Sequence, residues 1–293
     1  MRLDAIWRGE TRDIDEAARR STAGAFVRLS KGYTHYEVGA ADRGSTVVLV
    51  HGFSVPYFIW DPTFDALLTA GMNPLRYDLY GRGYSDRPPT EYGVNLFVSQ
   101  LLDLLDALGV QASDLVGLSM GGVIASAFTV RYPLRVRKLI LIDPSGARAL
   151  PQHLIYSVAM LPGIGELAFG LAGTGSLVKG IASDFYEPSQ VAWFQERYRA
   201  QMEFRGFKRA ILSTIRNRML DEFTYVYREL AKLETPIMLV WGQNDRTVPF
   251  EQSKELLRMI PRVFFHAIPA CGHIPHYEKP EVVNPLLIDF LRG

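Results

Sequence analysis

Ser119 stands between two glycines in Gly117-Leu118-Ser119-Met120-Gly121. The pattern G-x-S-x-G suits a hydroxyl that acts as a nucleophile on a sharp strand-to-helix turn, where neighbours without side chains relieve a strained backbone. Chance supplies roughly 0.1 such matches in a chain of this composition, so the context must carry the weight. Here "DLVGLS" (114–119) reads as a strand leading in, and "VIASAFTVRYP" (123–133) as a helix leading out. A serine hydroxyl needs a base, and that base is usually a histidine held in one tautomer by a carboxylate. Asp245 in "VWGQNDRTVP" (240–249) and His273 in "PACGHIPHYEKP" (269–280) follow in the chain order Ser, Asp, His that such an elbow uses.

Other residues compete for these roles. Asp143 also follows an apolar run, in "LIDPSG", and is the alternative acid. Cys271 lies too near His273 in sequence to face it for attack, and reads as a small buried thiol. His276 is three residues from His273, but a third metal ligand is missing and Pro275 interrupts any helix between them, so no metal site is expected. His35, His153 and His266 read as strand or insertion residues. Arg197, Arg199, Arg205, Lys208, Arg209, Arg216 and Arg218 alternate with acids, as on a solvated helical face with local ion pairs.

Strands and helices must bring these residues together. A hairpin over 25–39 precedes β-branched or apolar runs at 45–52, 72–81, 114–119, 136–144, 236–242 and 263–269, with helical patterns between most of them. That alternation predicts an α/β protein, with a mostly parallel twisted sheet, helices on both faces, and an antiparallel start. Residues 145–231 break the alternation and are expected to form a helical lid inserted in a core of 1–144 and 232–293. In open α/β sheets ligands bind beyond the carboxyl ends of the strands, where Ser119, Asp143, Asp245 and His273 all fall.

The 293 residues carry 48% hydrophobic and 22% charged side chains, and Lys+Arg 32 against Asp+Glu 31 give a net charge of +1. No strong field argues for nucleic acid as a partner. One cysteine excludes an internal disulfide. The charged start has no apolar core of a signal peptide, and no stretch suits a membrane span. A cytoplasmic protein is expected. No G-x-G-x-x-G or P-loop pattern occurs, so no cofactor is expected.

With these motifs in view, the chain resembles a lid-bearing member of the α/β-hydrolase superfamily, near the serine carboxylesterase, lipase and C–C hydrolase branch. The resemblance runs from about residue 25 and rests on His51-Gly52-Phe53, "YDLYGRGYSDRP" (77–88), "GLSMGG" (117–122), "GQNDRTVP" (242–249) and "GHIPHYEKP" (272–280). It implies Ser119 as nucleophile, His273 as base and acid, Asp245 as orienting acid, and an oxyanion hole from the backbone N–H groups of Phe53 and Met120. It also implies that His51 shapes the oxyanion loop, and that Asp78, Arg82, Ser85 and Asp86 brace the floor of the site. By the same resemblance, serine in place of the aspartate that dehalogenases and epoxide-opening relatives use favours acyl transfer through an acyl-serine. Many C–C hydrolases of the branch carry tryptophan after the catalytic histidine, where Ile274 stands here, and perhydrolases carry one after His-Gly, where Phe53 stands.

The insertion sets the expected substrate. "HLIYSVAMLPGIGELAFGLAG" (153–173) is apolar, and an apolar lid over a serine suits an apolar acyl group. The expected activity is therefore hydrolysis of small to medium apolar carboxylic esters through an acyl-serine. The expected pocket residues are Phe53, Tyr57, Phe58, Leu161, Phe169 and Ile274, with Trp60 near them. The alternatives are a C–C bond hydrolase of a diketone-type substrate, or a small-molecule receptor with low turnover.

Overall fold

A computed structural model describes residues 6–39, 45–149 and 154–293. Eight strands form one sheet: β1 (Ala25–Leu29), β2 (Gly32–Val38), β3 (Thr46–Val50), β4 (Asn73–Tyr77), β5 (Ser113–Leu118), β6 (Val136–Ile142), β7 (Ile237–Gly242) and β8 (Phe264–Ile268). Their order is β1-β2-β4-β3-β5-β6-β7-β8. The β1–β2 hairpin and the β2–β4 pair are antiparallel, and every pairing from β4 to β8 is parallel. Parallel strands covered on both faces read as continuous apolar runs, and β5 and β7 are buried along their whole length.

The helices are α1 (Glu16–Arg20), α2 (Asp61–Thr69), α3 (Val94–Ala107), α4 (Met120–Arg131), α5 (Leu154–Ala159), α6 (Ile164–Gly180), α7 (Val191–Gln201), α8 (Phe207–Arg216), α9 (Thr224–Leu230), α10 (Gln252–Met259), α11 (Pro275–Glu278) and α12 (Pro280–Arg292). Successive strand residues point to opposite faces, so the core divides in two. Val48, Val50, Leu115, Leu139, Leu141 and Trp241 pack with α3, α4, α9 and α10. Val47, Leu49, Val116, Ile140, Ile142 and Val240 pack with α2 and α12, and the same cluster extends into α6, α7 and α8.

Residues between β6 and β7 contain helices α5 to α9 and no strand among the described residues. The last of these, α9, lies on α4 against the sheet, with Val226, Tyr227 and Leu230 in the main core. The basic residues of this connection find distant acids as well as near ones. Arg197 pairs with Asp61, Arg205 with Asp13, and Arg216 with Glu166. Only Arg218 with Asp221 is a local pair among these. The Lys208 ammonium is buried and donates to the carbonyls of Arg8 and Gly170. The helical face is thus bound into the fold through α2, the N-terminal segment and α6. No helix among the described residues is long and apolar enough to cross a membrane. His153 lies outside the described residues. His35 sits on β2 and His266 on β8.

Candidate active site

Five strands end around one place. His51 to Phe53 follow β3, Ser119 follows β5, Asp143 follows β6, Asp245 follows β7 and His273 follows β8. Ser119 has φ 54° and ψ −121°, a backbone that costs an L-residue roughly 1–3 kcal/mol. Its N–H donates to the Ile142 carbonyl at 2.9 Å, and its own carbonyl accepts the Ser145 N–H at 3.2 Å. Those bonds clamp the turn between β5 and α4. The flanking glycines are required by close approach. A Cβ on Gly117 would strike the Gly121 carbonyl, and one on Gly121 would strike the carbonyls of Val50 and His51. Met120 opens α4, so its N–H has no acceptor within the helix.

His273 Nδ1 lies 2.7 Å from Asp245 Oδ2. Asp245 Oδ1 accepts the N–H groups of Thr247 at 2.7 Å and Val248 at 2.8 Å, which fixes the carboxylate facing the imidazole. Burial alone would push the His273 imidazole down. The Asp245 carboxylate, by charge and hydrogen bond, and the Asp184 carboxylate outweigh it and hold the group above its ordinary value. Asp143 contacts a different group. Its Oδ1 accepts the Gly242 N–H at 2.9 Å, and it makes no bond to the His273 ring. Geometry therefore brings Asp245, rather than Asp143, onto the histidine.

The loop after β3 is braced from below. His51 Nε2 accepts the Leu79 N–H at 2.9 Å, so the proton must sit on Nδ1, which donates to the Gly52 carbonyl at 2.9 Å. Burial pushes this imidazole down to about 4, and it stays neutral. The buried guanidinium of Arg82 donates from Nε to the Phe53 carbonyl at 2.8 Å and from Nη2 to Thr214 Oγ1 at 2.9 Å. Asp78 accepts the N–H groups of Tyr57 and Tyr84, each at 2.9 Å, and pairs with His35 Nδ1 at 2.7 Å. Ser85 Oγ donates to the Asp78 carbonyl at 2.6 Å, and Asp86 Oδ2 accepts the Tyr33 N–H at 2.8 Å. The motif at 77–88 thus holds strand ends and the Phe53 loop in place, with no side chain of its own in the cavity lining.

A cavity of about 650 Å³ opens over Ser119 and His273. Of the six residues expected to form the pocket, Phe53, Phe169 and Ile274 line this cavity, and Tyr57, Phe58 and Leu161 do not. Tyr57 lies against His35 and under the Arg76 guanidinium. Phe58 stacks between Phe194 and Arg197. Leu161 is 48% exposed. Trp60 and His276 are buried against each other, with ring centroids 4.3 Å apart, and burial pushes that imidazole down to about 3. Cys271 is fully buried, and burial raises its thiol.

Three charged groups in the lining were not among the expected pocket residues: Lys179 and Asp184, which lie in no motif, and Arg246, which lies beside Asp245 in the motif at 242–249. The Asp184 carboxylate accepts from Thr247 Oγ1 at 2.6 Å, and its carbonyl accepts the His273 N–H at 2.7 Å. Burial pushes its carboxyl up to about 6, against the pull of His273 and Thr247. Glu278 was equally hidden. Its buried carboxylate accepts the N–H groups of Gly272 at 2.7 Å, Tyr186 at 2.8 Å and Glu187 at 2.7 Å. One side chain therefore ties the His273 loop to the segment between α6 and α7. Phe53, Phe169 and Ile274 share the lining with these charged groups, but several apolar side chains of the insertion take no part in it. Ile164, Leu167 and Leu171 of α6 are half or more exposed and do not line the cavity.

Comparison with known proteins bears on both fold and chemistry. The chain is 30% identical over 280 residues to the 2-hydroxy-6-oxononadienedioate/2-hydroxy-6-oxononatrienedioate hydrolase of Paraburkholderia phymatum, covering 91% of this chain and 94% of that one. It is 29% identical over 265 residues to the 2-hydroxy-6-oxo-2,4-heptadienoate hydrolase of Pseudomonas putida, covering 87% and 91%. In structure it is similar to a meta-cleavage product hydrolase of Pseudomonas fluorescens, with TM-score 0.78, 23% identity and coverage of 92% and 97%. It is equally similar to the enol-lactonase of Burkholderia xenovorans, with TM-score 0.78, 19% identity and coverage of 92% and 100%. These relatives correct the sequence expectation of a carboxylesterase for apolar esters: the curated proteins matched along nearly the whole chain are named for dienoates. The alpha/beta hydrolase family model matches residues 47–286. The fold, the elbow at Ser119 and this match agree, and the chain belongs to the alpha/beta hydrolase family, as a hydrolase.

Proposed function

We propose that the protein hydrolyses a carbon–carbon bond in a 2-hydroxy-6-oxo-dienoate type of substrate. The observation that carries this reading is the similarity along 87–91% of the chain to two hydrolases named for such compounds. The site supports it. In this reading Ser119 is the nucleophile, His273 the base and acid, Asp245 the orienting acid, and the N–H groups of Phe53 and Met120 the oxyanion hole. Residues between β6 and β7 act as the lid over the cavity.

The chemistry follows from the substrate. A C–C bond breaks heterolytically only if the carbon left with the electron pair is stabilised. When the 2-hydroxy-dienoate ketonises, a proton moves from the C2 hydroxyl to C5, and C5 becomes a saturated carbon beside the C6 carbonyl. His273 then takes the Ser119 proton as Oγ adds to C6, and the oxyanion hole holds the charge on the C6 oxygen. As the carbonyl reforms, the C5–C6 bond breaks and its electron pair delocalises through the C3–C4 double bond onto the C2 carbonyl. The leaving dienolate takes the proton that His273 carries and departs as the dienol acid, which leaves the imidazole neutral and the acyl group on Ser119. Water activated by His273 then releases a carboxylic acid and restores the serine. The cavity of about 650 Å³ is of a size for a ligand of this kind.

Such a substrate carries a carboxylate at C1. Lys179 and Arg246 are the cations in the lining, and neither has an acidic partner among the described residues. They are the proposed counter-ions, and both are exposed residues of the lining. Arg197 is not in the lining and is held by Asp61. The test is turnover of a 2-hydroxy-6-oxo-dienoate, followed by loss of its conjugated absorbance, against turnover of nitrophenyl esters. The expected result is a kcat/KM at least tenfold higher for the dienoate. A preference for the esters would overturn the reading.

A further inference from the structure

Asp143 is not used by the mechanism above, yet it is fully buried beside it. It follows β6 with φ 41°, a left-handed backbone that aspartate and asparagine tolerate better than most residues. Its Oδ1 accepts the Gly242 N–H at 2.9 Å. Its Oδ2 is sealed from solvent and meets no N–H or O–H donor among the described residues. A carboxylate oxygen of Asp143, one of Asp245 and a ring nitrogen of His273 all lie within 4.8 Å of one another.

Two carboxylates this close in a dry site do not both carry a charge. The hydrogen bonds say which one does. Asp245 accepts the N–H groups of Thr247 and Val248 and faces His273 Nδ1. Asp143 accepts one N–H. Three donors against one put the charge on Asp245 and the proton on Asp143. The other charged groups agree in sign. Burial first, then the charge and hydrogen bond of Asp245, then Glu278 from α11, push the Asp143 carboxyl well up, and only the Gly242 N–H opposes them. Asp184, from the segment after α6, acts on the same His273, and the buried Cys271 thiol in the His273 loop feels the Asp143 carboxyl.

We infer that Asp143 is a positioning residue: held as a neutral acid, it donates its Oδ2 proton to the Asp245 carboxylate and fixes that carboxylate against His273. The inference rests on the triad reading of Ser119, His273 and Asp245. Asp143 does not compete with Asp245 for the histidine. It satisfies the face of Asp245 that the histidine and the backbone leave free, and moderates how strongly Asp245 holds the imidazolium. Without that donor the Asp245 carboxylate holds the imidazolium more strongly, and His273 keeps its proton to a higher pH.

The experiment measures the rate at which a fluorophosphonate labels Ser119 across pH, which requires no knowledge of the natural substrate. The native protein is compared with Asp143→Asn and Asp143→Gly, two residues suited to a positive φ. Asparagine still offers an N–H to Asp245, and its acid limb is expected to follow that of the native protein. Glycine offers none, and its acid limb is expected to move up by about one pH unit. A glycine variant with the native midpoint, or an asparagine variant shifted as far as the glycine one, would overturn the inference. Infrared difference spectra of native protein against Asp143→Asn decide the protonation state even if the glycine variant fails to fold. A protonated-carboxyl stretch lost in the variant at neutral pH is expected, and its absence would also overturn the inference. Failure of the triad reading looks different: labelling that survives Ser119→Ala, or that Asp245→Asn leaves unchanged.

Discussion

At the scale of single residues, the account depends on a proton moving between Ser119 and His273. Replacing Asp245 with asparagine removes the charge that holds the imidazolium, and turnover is expected to fall by about 10⁴ in kcat. Asp143→Asn, which leaves that charge in place, is expected to cost far less. Steady-state kinetics on both variants checks the order, and equal losses would contradict it. The pH profile belongs to this scale as well. His273 works as a base only when neutral, and the Asp245 and Asp184 carboxylates hold it above its ordinary value of about 6.5. Activity should therefore climb with pH through a midpoint above that value, and a midpoint below it would contradict the assigned base. Ser119, Asp245 and His273 were legible in the sequence because each sits in a short motif at a strand end. The surroundings of Asp143, Asp184 and Glu278 were not, because burial and donors from distant segments define them. Glu278, for instance, acts through N–H groups of residues 186 and 187, about ninety positions away.

At the scale of elements, two buried carboxylates join segments that local sequence could not have paired. Glu278 on α11 ties the loop carrying His273 to the stretch between α6 and α7. Glu278→Ala strands the buried N–H of Gly272 and frees the partly buried N–H groups of Tyr186 and Glu187, and should lower stability by about 2 kcal/mol, with a loss of kcat/KM as His273 loosens. Denaturant unfolding and kinetics on the same preparation test this, and an unchanged midpoint would contradict the clamp. Asp78 joins β2 to the loops after β3 and β4. His35 Nδ1 meets Asp78 and its Nε2 meets the Ala23 carbonyl at 2.7 Å, so both ring nitrogens donate and the ring is an imidazolium. Burial opposes that charge, but Asp78 raises the His35 value above its ordinary one, while burial and then His35 act on Asp78, whose value lies below its own. A raised histidine stabilises fully below its unfolded value and loses this as pH rises through the folded one. A lowered aspartate stabilises above its unfolded value. The pair should therefore contribute most between roughly pH 4 and pH 6.5. The stability difference between native protein and His35→Gln should be largest there and shrink above neutrality. A difference that grows with pH would contradict the ion pair. The eight strands and their alternation with helices were readable from apolar runs, because burial on both faces of a parallel sheet leaves that pattern. The destinations of the arginines between β6 and β7 were not readable, since Asp13 and Asp61 come from far along the chain.

At the scale of the whole molecule, the substrate is decided where the core meets the β6–β7 connection. Composition suggested an apolar ester pocket because residues 153–173 are apolar. Several of those side chains instead face outward, and the lining mixes Phe53, Phe169 and Ile274 with Lys179, Asp184 and Arg246. Average polarity of a segment does not say which side chains face a cavity, whereas apolar runs do mark the strands of a parallel sheet covered on both faces. An anionic substrate should feel the two cations. Lys179→Gln with Arg246→Gln is expected to raise KM about tenfold or more with little change in kcat. A fall in kcat alone would place the carboxylate elsewhere. The central claim is C–C hydrolysis through Ser119, and the most direct measurement incubates a 2-hydroxy-6-oxo-dienoate with native protein and with Ser119→Ala. The account predicts repeated turnover to a carboxylic acid and a dienol acid by the native protein and none by the variant. Intact substrate after prolonged incubation with folded native protein, or equal cleavage by Ser119→Ala, would contradict it.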